Sequence, residues 1–201
     1  MSSRVRSADR TALVLVVALL LAACAHPAGT GAKGPQDDPS ASQIWSDKSA
    51  ALLNAGRFPE ALEAADKAVG FDGSNTMAWN NRSVALIGLG RHRDALDAAE
   101  RAIAAAPANA VAWSNKAVAQ RSQGRTDDAL SSMAEAVKLD PRNGVLWYNQ
   151  ACYLALAGKR DAALGSLATA VELAPALKAA ARTEEELTIL REDTRFKKII
   201  E

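Results

Sequence analysis

Two cysteines, two histidines and three evenly spaced asparagines are the residues of this 201-residue chain whose types and positions invite a chemical question. Cys24 ends the run Leu21-Ala22-Ala23-Cys24. If Cys24 is taken up by another bond, Cys152 is left alone and no intramolecular disulfide can form. Cys152 then reads either as a small buried filler or as a reactive thiol, because only an environment that favours the thiolate makes sulfur nucleophilic. His26 and His92 are too few and too scattered for a metal site, and no nucleophile has a paired base. No phosphate-cradling glycine loop occurs either, so neither enzyme chemistry nor a cofactor is expected. Asn81, Asn115 and Asn149 are different, because they recur every 34 residues. An amide both donates and accepts, so such a row can pair with successive peptide groups of an extended chain whatever its sequence.

The interval belongs to more than the asparagines. Trp45, Trp79, Trp113 and Trp147, the four tryptophans of the chain, keep it; so do Gly56, Gly90, Gly124 and Gly158. Two alanine columns, Ala61, Ala95, Ala129, Ala163 and Ala68, Ala102, Ala136, Ala170, keep it as well. Leu62, Leu96, Leu130 and Leu164 follow the first of these, and Pro107, Pro141 and Pro175 close their units where the first has Gly73. These columns resemble the tetratricopeptide-repeat (TPR) pattern over about residues 42–177. The resemblance implies an all-α, right-handed superhelical solenoid of four helix-turn-helix repeats, at 42–75, 76–109, 110–143 and 144–177, with a capping segment at 178–201. In physical terms each unit reads as two amphipathic helices, 43–55 and 59–71 in the first copy, separated by a turn glycine and opened again by Pro59. So short a turn makes the two antiparallel. Small columns let them approach, and stacked copies bury what one pair cannot.

In the family the first helix of each pair lines a concave groove. Carried over column by column, the resemblance places Met77, Asn80, Asn81, Val84, Ile87, Val111, Asn115, Val118, Arg121, Val145, Tyr148 and Asn149 on that surface. Asp47, on the same columns of the first repeat, and Arg121 are its only charges. Chaperone-binding members hold an acidic peptide end with basic residues at columns that here carry Ser46, Ala50, Val111 and Asn115, and only Asn81 fits. Recognition of an acidic carboxyl terminus is therefore not expected; an extended or helical, modestly apolar segment is. The asparagines either make a ladder for that segment or bond within the array, as the column does in the family generally. Arg57, Arg91, Arg125 and Lys159 form a basic row just after the turn glycines, either paired with Glu60, Asp94, Asp128 and Asp161 or free to touch anionic lipid. Gln120 breaks a column otherwise occupied by Leu52, Leu86 and Leu154.

Ahead of the repeats, Arg4, Arg6 and Arg10 precede an uncharged run at 11–23, a secretory signal layout too short for a membrane span of about 20 residues. Its end resembles a bacterial lipobox, which implies cleavage at 1–23 and lipid on Cys24; an ordinary cleaved signal with an incidental cysteine is the alternative. Two or more acyl chains suffice for stable anchoring. Residues 24–41, rich in glycine and proline, read as a flexible tether of roughly 20 to 25 Å. The expected location is the periplasmic face of a membrane, the outer one in a two-membrane envelope, given Ala25 in place of aspartate. The precursor's net charge is +1; without three arginines and Asp9 of the signal it becomes −1, which offers nucleic acid no footprint. The 49 % hydrophobic content with 4 % aromatic residues is what alanine-packed helices require.

At the other end, 176–182 reads as one more helix and Thr183 with Glu186 as a capping box opening another. Leu187, Leu190, Phe196, Ile199 and Ile200 should cover the last repeat while Glu184, Glu185, Arg191, Lys197 and Lys198 stay wet. Two functions then compete. One is a lipid-anchored scaffold for one or more envelope proteins, with no nucleic acid or small-molecule substrate. The other is a self-associating subunit of a pilus, secretion or cell-wall assembly, joined through its end surfaces or Cys152.

Overall fold

The computed structural model describes residues 38–201. Among these the chain forms α1 (Pro39–Asn54), α2 (Phe58–Phe71), α3 (Thr76–Gly88), α4 (His92–Ala105), α5 (Ala110–Ser122), α6 (Thr126–Leu139), α7 (Gly144–Leu156) and α8 (Arg160–Leu173). A shorter α9 (Leu177–Thr183), a 3-10 turn (Thr188–Leu190) and α10 (Thr194–Ile200) complete it.

Local rules explain the boundaries. Asn75, Asn109 and Asn143 cap α3, α5 and α7, accepting from the backbone N–H of Ala78, Ala112 and Val145. Each pair turns on a glycine in the left-handed region: Gly56, Gly90, Gly124 and Gly158, with φ of 71°, 73°, 77° and 73°. No other described residue has positive φ, so the turn is the one place where a side chain would be strained. The first helix begins three residues ahead of the expected repeat start. Asp38 caps it, accepting from Ser40 and Ala41 N–H at 2.9 and 3.1 Å, with Pro39 in the first turn. Residues 39–41 thus belong to α1 and not to the tether; the signal, Cys24 and the rest of the tether lie outside the described residues.

The two alanine columns are the contact surface within each pair, and all eight side chains are fully buried. A bulkier residue there would force the helices apart. The tryptophans fix the unit differently. The indole N–H groups of Trp79, Trp113 and Trp147 donate to the carbonyls of Gly73, Pro107 and Pro141 at 2.8 to 2.9 Å, tying each first helix to the turn before it. The first helices of repeats 1, 2 and 3 also approach one another directly, and more closely than the second helices do. The array therefore bends with its first helices on the inside, which makes their free side concave.

The cap packs as expected in its apolar part and differs in its polar part. Leu187, Leu190 and Phe196 are buried in one continuous core with repeats 3 and 4, and Ile199 and Ile200 pack at its edge. Thr183, however, opens no helix. It ends α9, its hydroxyl donating to the Ala180 carbonyl, and the chain leaves in extended conformation at Glu184. The last helix starts instead at Asp193, which caps it. Glu184 is buried and Arg191 half-buried, so neither stays wet.

Candidate interaction groove

The asparagine column is placed on the inner helices, but its amides turn into the stack. Asn81 Nδ2 donates to the Ser46 carbonyl of the preceding repeat at 2.9 Å. Asn115 Nδ2 makes the equivalent bond to Asn80 at a stretched 3.5 Å. Asn149, whose equivalent acceptor would be Ser114, makes none: both its amide atoms are buried with no partner. All three residues are at most 4 % exposed. Of the two readings, bonding within the array is the one that Asn81 and Asn115 adopt, because an amide carried at this column reaches the preceding inner helix before it reaches the groove. The progressive loss of this bond matches the backbone, since the inner helices sit closest between repeats 1 and 2 and part along the array.

The apolar columns divide in the same way. Val84, Ile87 and Val118 are 1 to 2 % exposed and belong to the core between helices, which removes them from the expected groove lining. Asn80 and Tyr148 are also buried. Met77, Val111 and Val145 remain half-buried, one per repeat and 34 residues apart, along the inner face. Spacing identified the column; only packing separates a side chain on the inner face from one two turns away in the core.

Between repeats 3 and 4 the widened gap is filled by large residues and by the chain's own tail. Arg121 stacks over the Tyr153 ring, 5.6 Å from its centroid, and its Nη1 lies 3.1 Å from Glu186 Oε1. The Tyr148 hydroxyl donates to Glu184 Oε2 at 3.3 Å. Burial and the neighbouring Glu186 carboxyl push Glu184 up to about 7. Burial acts on Glu186 in the same direction, but Glu184, a backbone N–H and Arg121 hold it below the usual carboxylate range. The two therefore titrate as a pair sharing one proton. Cys152 lies beneath them, 6 % exposed, its thiol pushed well up by burial and the nearby carboxylates. It is a packed filler and not a nucleophile. Among the described residues no group of three or more histidine, cysteine, aspartate or glutamate side chains could hold a metal ion.

Two further columns are resolved here. Arg57, Arg91 and Arg125 each pair with the acid three residues on, at 2.6 to 2.8 Å on an exposed surface, which favours the solvated ion-pair reading over lipid contact for these three. Gln120 also finds its reason: buried, it accepts a 2.7 Å hydrogen bond from Ser132, the residue that replaces alanine at the matching place in repeats 1 and 2. A rung that spacing alone did not reveal crosses the repeats outside. Lys48, Arg82 and Lys116, three residues after their tryptophans, lie over the indole rings. Arg82 and Lys116 also reach Asp66 and Glu100 of the preceding second helix. The signal was available as a basic residue after each Trp, and it stops at Gln150 in repeat 4.

The chain resembles several solved structures. A thermophilic TPR protein of Thermus thermophilus superposes with a TM-score of 0.67 at 23 % identity, covering 79 % of this chain and 86 % of that one. MamA of Desulfovibrio magneticus RS-1 gives 0.58 at 22 %, covering 67 % and 76 %. The first TPR domain of Spaghetti, solved with an HSP90 peptide, gives 0.57 at 21 %, covering 62 % and 99 %. No curated protein matches the chain. The tetratricopeptide-repeat model matches residues 32–76 and 80–144, more than half the sequence. Members of that family are generally interaction proteins without catalytic activity. This right-handed superhelical solenoid of paired helices therefore belongs to the tetratricopeptide-repeat family.

Proposed function

We propose that this protein is a membrane-anchored TPR lipoprotein of the bacterial cell envelope, a scaffold that holds an extended or helical, modestly apolar segment of another envelope protein in its concave groove. The observation that carries the reading is the row Met77, Val111 and Val145. With the neighbouring valines and isoleucine packed in the core, this row is what remains of the groove's apolar columns for a partner to cover. Spaghetti's TPR domain holds an HSP90 peptide, which supports peptide capture by the fold. The acidic end of such a peptide is not the ligand proposed here, since Ser46, Ala50 and Asn115 are not basic. The anchor rests on the signal layout ending at Cys24, with the periplasmic side, and the outer membrane where there are two, as its place.

The test is co-purification of the full chain from detergent-solubilised membranes. Replacing Met77, Val111 and Val145 together by glutamate should remove the recovered partner while leaving helicity unchanged; equal recovery overturns the groove. Cys24→Ser should abolish fatty-acid incorporation, and persistent labelling rejects the anchor. Self-association is a second reading, favoured by one observation. Ile44 is 67 % exposed, whereas its column mates Ala78, Ala112 and Leu146 are buried under the preceding repeat. Buried Cys152 gives that reading no support. A dimer in light scattering, lost on Ile44→Asp, would favour it over the first.

A further inference from the structure

Leaving α9, residues 184–187 run back over the open side of repeats 3 and 4. They bring Glu186 to Arg121 and Glu184 to Tyr148, with the Arg121 and Glu186 side chains only 18 % and 14 % exposed. Arg121 and Tyr148 stand on the same inner helices as the half-exposed Met77 row, so the tail occupies the far end of the proposed groove. Leu187 and Leu190, both buried, anchor it there.

We propose that residues 184–187 are a built-in occupant of the groove, which must undock before a partner can reach Arg121 and Tyr148. This rests on the groove being the docking face. The groups that face the two carboxyls are Arg121 from α5 and Tyr148, Cys152 and Tyr153 from α7. Within the cap, Arg191 donates to the Glu184 carbonyl at 3.0 Å. Arg121 meets the carboxyl pair, and its Nη1 forms an ion pair with Glu186. A second ionised carboxylate beside that pair, out of water, is unfavourable unless it carries a proton.

The sign follows from proton numbers. Undocked, both carboxyls return to ordinary values near about 4.3. Docked, Glu184 keeps its proton up to about 7. Between those values the docked form binds more protons, so docking weakens as pH rises through the window and levels off above it. From pH 5.5 to pH 8 the change should be roughly thirtyfold.

Hydrogen exchange of the full chain, followed by mass spectrometry on peptides spanning 184–191 and normalised for intrinsic rates, tests this without any partner. Protection there should fall roughly thirtyfold from pH 5.5 to pH 8 while peptides from α1 to α4 keep theirs. Glu184→Gln, which cannot ionise, should hold the low-pH protection at both values. Unchanged protection in the unmodified chain overturns the proposal, and so does a variant that still shows the full fall. In the co-purification above, Glu184→Gln should recover less partner than the unmodified chain at pH 8; equal recovery rejects the occupant role. If the glutamate triple variant still captures its partner, the groove fails while the exchange result stands on its own.

Discussion

Asn81 Nδ2 donates to the Ser46 carbonyl 2.9 Å away, across the boundary between repeats 1 and 2, while its column mate Asn149 has both amide atoms buried with no partner. One column thus holds a residue that bonds two repeats and a residue whose polarity is unsatisfied. Replacement by leucine, of similar volume, should separate them. Asn81→Leu should destabilise by about 1 to 2 kcal/mol, whereas Asn149→Leu should be neutral or stabilising. Urea unfolding midpoints measure both; equal losses would show that the column acts through shape alone.

Gln120 and Ser132 form a second contrast. Gln120→Leu restores the leucine of the other repeats but strands the buried Ser132 hydroxyl, at a cost of about 1 to 2 kcal/mol. Adding Ser132→Ala removes the stranded group, and the double variant should regain most of that loss. The coupling expected from the cycle is about 1 kcal/mol. Additive single effects would contradict the pairing.

Gly144 begins α7 where a Cβ would stand 2.9 Å from both the Ala170 carbonyl oxygen and the Ala174 Cβ. In repeat 1 the same column is Ser42, which fits and donates to the Ala68 carbonyl at 2.9 Å. Repeat 4 is therefore packed more tightly at this point than repeat 1. Gly144→Ala should destabilise by about 1 to 3 kcal/mol through forced backbone movement. Gly70→Ala, with open space around its Cβ and helical backbone, should instead stabilise slightly, by up to about 1 kcal/mol. Thermal melts of the two variants should shift in opposite directions.

The surface pairs should count for little. Arg91 and Asp94 are 53 % and 48 % exposed, so Arg91→Ala should change stability by less than about 0.5 kcal/mol. The same substitution should leave binding to vesicles of anionic lipid unchanged. A marked loss of vesicle binding would revive the lipid reading of the basic row.

Periodicity alone determined a great deal here. The constraints behind it are local and repeated, so Gly124 can be nothing else at its φ of 77°, and Ala129 and Ala136 nothing larger where two helices touch. Each such rule is written four times, which makes the helix pairs and their order legible from spacing. Tertiary structure decided what spacing could not carry. Val84 and Met77 lie seven residues apart on one helix, yet one is core and the other half-exposed on the inner face, because curvature and not period sets which side is covered. Glu184 read as a wet residue and Glu186 as half of a capping box, and they became the buried and half-buried partners of Tyr148 and Arg121. That contact joins residues 36 and 65 positions apart, outside the repeating unit, where no column exists to announce it.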